Sequence, residues 1–259
     1  MKNLEIDDRF CLDLREIFTP ETALKMIQAF PQADIVYVGS SFCGRYFLSC
    51  RRILEVCKEA GKNIILTVPV LSQNELAEGK MLLASVEANE IIVNDYAMLK
   101  YVRDQLGYQV GMGRLFFKEP RDGRLPVYLE RAVTTWLDVR GAVSSIELDP
   151  VCRWMNLDEL GSEYEIAMNS PWCYMSFGRI CKYASIHQEA TMKYRSNTEC
   201  SFECRHVYEI HRDQDRPDFL LLRRIGKAIY FENTNVTFQN RKPDRILYFP
   251  LREMMGEKK

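Results

Sequence analysis

Short apolar, β-branched runs alternating with amphipathic helices predict an α/β fold made of βα units. About eight such runs predict a (β/α)8 TIM-like barrel, complete or slightly distorted. The length agrees, since 259 residues are ample for one large core. No internal repeat, low-complexity tract or linker divides the chain, so residues 1–259 are read as a single domain. The alternative is an open doubly wound sheet, but no Gly-x-Gly-x-x-Gly turn follows the first strand.

The elements follow in order. Phe10–Leu14 reads as the first strand, and Thr19-Pro20-Glu21-Thr22 opens a helix with a cap, a proline at the first helical position and an acid in the first turn. Asp34–Gly39 is a β-branched run ended by glycine, as in a buried parallel strand, and a loop carrying Cys43 follows. Residues 47–60 show helical spacing up to Gly61, with Cys50 and Cys57 on one stripe. Asn63–Val68 is the third strand, and Ser72 with Glu75 forms a capping box for a helix to Glu87. Glu90–Val93 and Tyr108–Met112 are strands either side of a helix over Tyr96–Gln105. Gly113–Arg124 reads as a long solvated loop before a helix over Val127–Asp138, with arginines that could instead hold an anionic ligand. Val143–Leu148 and Tyr164–Met168 are strands six and seven. Short strands at Phe219–Leu222 and Ala228–Phe231 precede Arg245–Phe249, which closes the sheet.

Charge excludes some functions. With 35 basic and 36 acidic residues, bulk electrostatics do not point to nucleic acid. The start, Met1–Asp8, has no apolar signal region, and no window approaches the ~18–20 apolar residues of a membrane span. A cytoplasmic protein is expected. Nine cysteines, an odd number, point to thiols and metal rather than a disulfide framework.

Between strand seven and the last strand the pattern breaks into a polar, cysteine-rich excursion, residues 176–212. Cys181, Cys200 and Cys204 lie within 24 residues of it. The C-x3-C spacing of Cys200 and Cys204 can turn two sulfurs toward one centre, and Cys181 must return to them by folding. Structural zinc and iron–sulfur clusters commonly take four cysteines. In a barrel, loops after the C-terminal strand ends share one face, which places Cys43 with the excursion and makes it the fourth candidate. Cys152 and Cys173 are held in reserve, and His187, His206 and His211 lie near enough to substitute. Separate packing thiols are the plain alternative.

Asp95, Glu147 and Asp149 are carboxylates at strand ends that could do acid–base work, or could simply cap helices and pair with arginines. Arg179, beside Cys181, could bind a sulfide or an anionic substrate. No Ser-His-Asp order, His-Glu-x-x-His helix or P-loop occurs, so no hydrolase nucleophile is recognisable.

Ala33–Gly39, Gly61–Leu66, Glu90–Asp95, Ser145–Leu148 and Ser176-Phe177-Gly178-Arg179-Ile180-Cys181, taken in order, resemble the collagenase-like peptidase family U-thirty-two. The chain is most similar to the short branch of UbiV-like anaerobic ubiquinone-biosynthesis iron–sulfur proteins. The resemblance implies a [4Fe-4S] cluster on Cys43, Cys181, Cys200 and Cys204, with zinc as the other metal that four thiolates would suit. It implies a role in oxygen-independent hydroxylation of a small aromatic or related metabolite, acting with a homologous partner as a heterodimer. Other members modify RNA bases, which the neutral charge disfavours here. Where longer members carry a second cysteine, this chain has Tyr183–His187; a metal-dependent peptidase, which the family name implies and no residue here supports, is a further alternative. A non-catalytic, cluster-bearing partner subunit is the other class of reading.

Overall fold

The structure is a computed structural model that describes residues 9–117, 143–150, 154–155, 162–178, 181, 183–184, 188–189, 191–192, 200–206, 209–211, 222–233, 237–238 and 241–254. In chain order, β1 (Phe10–Asp13), β2 (Ile35–Gly39), β3 (Asn63–Val68), β4 (Glu90–Val93), β5 (Val110–Met112) and β6 (Ser145–Leu148) are followed by β7 (Trp154–Met155) and β8 (Glu165–Ser170). Then come β9 (Trp172–Phe177), β10 (Glu209–His211), β11 (Leu222–Ile225), β12 (Ala228–Glu232), β13 (Thr237–Phe238) and β14 (Arg245–Tyr248).

Eight of these strands, all parallel, close into a barrel in the order β1-β14-β8-β6-β5-β4-β3-β2. Closure is direct, since Cys11 of β1 pairs with Leu247 on one side and Ile35 on the other. The expected barrel is therefore present. Its seventh strand by sequence is β8, and β14 completes it.

The helices form where the local signals place them. Thr19 caps α1 (Pro20–Ala29) by accepting from the Thr22 N–H, and Ala23, Met26 and Ile27 form its buried stripe. The segment expected as one helix over 47–60 is two, α2 (Gly44–Leu48) and α3 (Arg51–Glu59). Between them the Ser49 hydroxyl donates to the Tyr46 carbonyl at 2.9 Å, a local bond that competes with helix continuation. Ser72 and Glu75 make the expected capping box on α4 (Gln73–Ser85), and α5 (Tyr96–Tyr101) continues into a π turn, Val102–Leu106. The helix expected over 127–138 lies outside the described residues. Among the described residues no helix is long and apolar enough to cross a membrane.

Alternation along each strand divides the core in two. Outward residues such as Leu12, Val36, Leu66, Ile91, Ile146 and Met168 pack under the helices. Inward residues Cys11, Tyr37, Ile65, Ile92, Ala167 and Leu247 fill the barrel's middle. Below them Arg245 binds Glu90 at 2.5 Å and the Tyr37 hydroxyl at 3.1 Å, and also pairs with Glu165, which ties together the starts of β4, β8 and β14.

Of the two short strands expected before β14, Ala228–Phe231 is β12 and Phe219–Leu222 lies mostly outside the described residues; the sheet that β12 joins was not expected. Between β8 and β14 the chain builds a four-stranded antiparallel sheet, in the order β10-β11-β12-β9. Its Trp172, Tyr174, Ile225 and Tyr230 pack on Phe42, Phe249 and Leu251. Phe42 and Phe249 follow β2 and β14, so this sheet covers the C-terminal end of the barrel. The Trp172–Phe177 run reads as a strand only in retrospect, because it adjoins β8 with one residue between.

Candidate cysteine centre and the covered barrel mouth

The mouth carries an ion network. Asp13 ends β1, and two residues later Arg15 turns back over the strand ends, only 2% exposed. Its guanidinium grips Asp13 with two bonds of 2.8 and 2.6 Å, and donates to Glu147 at 2.6 Å, Asn169 at 2.9 Å and Ser41 at 3.2 Å. Arg114 adds a second guanidinium, 3.1 Å from Glu147 and 3.5 Å from Asp149. It lies against the Phe42 and Tyr174 rings. The loop at 113–124 was expected to be solvated, and at Arg114 that expectation fails: the side chain is 3% exposed, held by carboxylates below and aromatic faces above.

Glu147 is fully buried. Burial pushes its carboxyl up, but Arg15, Arg114 and the hydrogen bonds from Arg15 and Asn169 outweigh this, so its pKa falls below the ordinary carboxylate value. It stands as the counter-ion of two arginines, and its second oxygen, Oε2, has no hydrogen-bond partner. Asp95 caps α5, accepting from the Met98 N–H at 2.8 Å. Arg179, Cys152 and His187 lie outside the described residues. Arg15, Glu16 and Asn169 were not singled out from sequence. The available signal was their position at C-terminal strand ends, where barrel functional residues gather.

Glu16 belongs to the turn after β1, closed by the Ile17 N–H donating to the Leu14 carbonyl at 3.2 Å. Its φ of +63° is left-handed, a conformation that costs a non-glycine residue about 1–3 kcal/mol. Its carboxyl is 4% exposed and accepts the Ser40 hydroxyl at 2.5 Å. Burial raises its pKa to about 7, against the hydrogen bond from Ser40 and the charge of Arg15.

The cysteines lie on the same face. Cys43 precedes α2 in the loop after β2, and Cys181 follows β9. Cys200 and Cys204 flank a turn in which Phe202 adopts φ +60° and its N–H donates to the Cys200 sulfur at 3.4 Å. The tip of the β11–β12 hairpin, Gly226-Lys227, faces them. A Cβ on Gly226 would stand 3.9 Å from Cys204 Sγ, and the Lys227 charge acts on Cys43. Cys204 is within electrostatic reach of Cys181, Cys43 and Cys200, and Cys181 also acts on Cys43 and Cys200. All four sequence-predicted thiols are thus brought into one neighbourhood, from three separate stretches of chain.

Burial dominates their chemistry. It pushes the thiols of Cys43 and Cys204 up to about 12 and raises that of Cys200, while backbone N–H donors from Tyr46 and Phe202 act in the opposite sense at Cys43 and Cys200. None of the described cysteines is in a disulfide. Cys50 and Cys57 are fully buried in the helix-packing core, as their spacing predicted, and the reserve candidate Cys173 is buried with its thiol donating to the Pro150 carbonyl at 3.3 Å. Among the described residues no group of three or more His, Cys, Asp or Glu is arranged to hold a metal ion.

The mouth itself is filled by its ion network and its aromatic cover. Beside it an open pocket of about 470 Å³ lies between Arg45, Leu48 and Ser49 on one side and Cys200, Ser201 and Phe202 on the other. Glu78 also lines it. Its volume is in the range of small-molecule sites.

No family model matches the chain, and no curated protein matches it.

Proposed function

We propose that this chain is an iron–sulfur protein whose [4Fe-4S] cluster is held by Cys43, Cys181, Cys200 and Cys204. The observation that carries the reading is the placing of these cysteines on loops from three stretches of chain at one end of the barrel, with Cys204 near the other three and the β11–β12 hairpin tip beside it. A single zinc ion needs four sulfurs about 2.3 Å from one point. A four-iron cluster takes each thiolate at a different iron and so suits a wider arrangement. The Phe202 N–H donated to the Cys200 sulfur also suits a thiolate carrying negative charge. When bound, such a cluster would supply one-electron redox chemistry.

The resemblance to the anaerobic ubiquinone-biosynthesis branch supports the finer reading: a component of an oxygen-independent hydroxylation system, working with a homologous partner on a small aromatic or related metabolite. The 470 Å³ pocket is where such a molecule could approach, since Cys200 forms part of its wall, Arg45 offers a cation and Phe202 an aromatic face. The covered mouth and the paired Glu147 favour a second reading, in which the chain is the cluster-bearing, non-catalytic member of the pair.

Anaerobic purification with iron, sulfide and zinc analysis tests the first claim on wild type and on the Cys43→Ala, Cys181→Ala, Cys200→Ala and Cys204→Ala variants. About four irons and four sulfides per chain, lost in each variant, is the expected result. One zinc, or no metal under strict anaerobiosis, overturns it. Co-purification with a homologue, followed by turnover with and without it, separates the two roles.

A further inference from the structure

We propose that Glu16 is the positioning residue for Cys43, holding the ligand loop Ser40–Cys43 in place through the Ser40 hydroxyl. The inference deepens the iron–sulfur reading and rests on it for its purpose, but its geometry stands alone. The Glu16 carboxyl accepts from the Ser40 hydroxyl at 2.5 Å. The Ser40 oxygen in turn accepts two backbone N–H groups, from Phe42 at 3.1 Å and Cys43 at 2.9 Å. Two consecutive backbone donors, Phe42 and Cys43, thus terminate on Glu16 through one hydroxyl.

Two features mark this as more than loop packing. Glu16 occupies a left-handed backbone position, φ +63°, where glycine is the residue that fits without strain. The glutamate there has a carboxyl that is buried and bonded to the loop bearing Cys43. Arg15, its neighbour, anchors the same loop from the other side through the Ser41 hydroxyl at 3.2 Å. The charge of Glu16 also reaches Cys43 and Cys204. The groups facing Glu16 are Arg15 and Asp13 from its own segment, Ser40 and Ser41 from the loop, Tyr46 from α2, and Tyr230 from β12.

The strain suggests the discriminating variant. Glu16→Gly removes the carboxyl while relieving the backbone, so the chain should fold. Glu16→Gln keeps an acceptor oxygen for Ser40, and Ser40→Ala breaks the relay at its second link. The readout is the alkylation rate of each cysteine in the metal-free full-length chain, with iodoacetamide and peptide mass spectrometry, taking the buried Cys50 and Cys57 as internal controls. Glu16→Gly and Ser40→Ala should each raise Cys43 labelling at least about tenfold with the controls unchanged, as for a local opening. Combining them should add little, because one relay is cut twice. Glu16→Gln should stay within about threefold of wild type, its carbonyl accepting in place of the carboxylate.

In chain reconstituted with iron and sulfide, the first two variants should lose iron to a chelator faster than wild type, and Glu16→Gln should not. Cys43 labelling at the wild-type rate in Glu16→Gly overturns the proposal, as does an equal rise at Cys50 and Cys57. If the wild type takes up no iron, the cluster reading fails, and the alkylation arm still decides the role of Glu16.

Discussion

Replacing Arg15 with methionine tests whether the barrel mouth is held by its ion network. Methionine keeps much of the volume and none of the five side-chain hydrogen bonds. Among the described residues, Asp13 and Glu147, 4% and 0% exposed, would be left beside Arg114, which pairs with Glu147 and Asp149. Removing one partner of a buried pair costs about 3–5 kcal/mol, since the other charge stays desolvated. The two pairs share one guanidinium and are not additive, so the expected loss is about 4 kcal/mol. For a chain of 259 residues the unfolding entropy is about 0.5 kcal/mol/K, and the melting temperature should fall roughly 7 °C.

Urea titration at pH 7, read as a fall in midpoint at constant slope, measures the loss. Arg15→Lys should recover only part of it, because an ammonium cannot span Asp13 and Glu147 with a planar fork. Adding Asp13→Asn to Arg15→Met should recover part of the stability, because Asp13 is the carboxylate that loses its guanidinium while Glu147 keeps Arg114. A loss under about 1 kcal/mol for Arg15→Met, a value typical of solvated pairs, would refute the claim that the network is dry and structural.

Two further outcomes follow from the same geometry. Glu16 titrates near 7 when folded, against 4.5 for an ordinary glutamate, so between those values the folded chain holds a proton that the unfolded chain releases. Stability should therefore decline as pH rises from about 4.5 to 7, by about 3 kcal/mol from this group. Denaturation at pH 5 and pH 8 should show a smaller decline in Glu16→Gln; equal declines would exclude Glu16 as the source. Gly39→Ala places a Cβ 2.3 Å from the Thr67 carbonyl oxygen at φ +96°, and the neighbour is backbone that cannot turn aside. It should cost about 2–4 kcal/mol in a urea midpoint and disturb the Ser40–Cys43 loop that follows; a neutral result would show that β2 and β3 separate easily there.

Local chemistry is legible in a sequence because it depends on near neighbours. The cap at Thr19, the capping box of Ser72 and Glu75, and the β-branched runs of β2, β3 and β4 each follow from a few adjacent residues. Their alternation was enough to anticipate the barrel. The helix break at Ser49 was less visible, since serine tolerates either outcome and the Tyr46 carbonyl decides it. Cys43 could be placed on the C-terminal face from the topology, because parallel barrel strands all end on the same side, whereas Cys181, Cys200 and Cys204 follow the antiparallel strand β9.

The tertiary structure alone decided how that face is used. Arg15 and Glu147 are 132 residues apart, Arg15 and Asn169 are 154 apart, and their contacts exist only once β1, β6 and β8 share a barrel. Solvation turns on the same convergence. Arg114 reads as part of a solvated loop until Phe42 and Tyr174 cover it, and Glu16, which carries no sequence signal, is buried against the Ser40 hydroxyl. A residue's type and spacing limit what it can do, whereas its charge state and partners depend on which distant side chains exclude water from it.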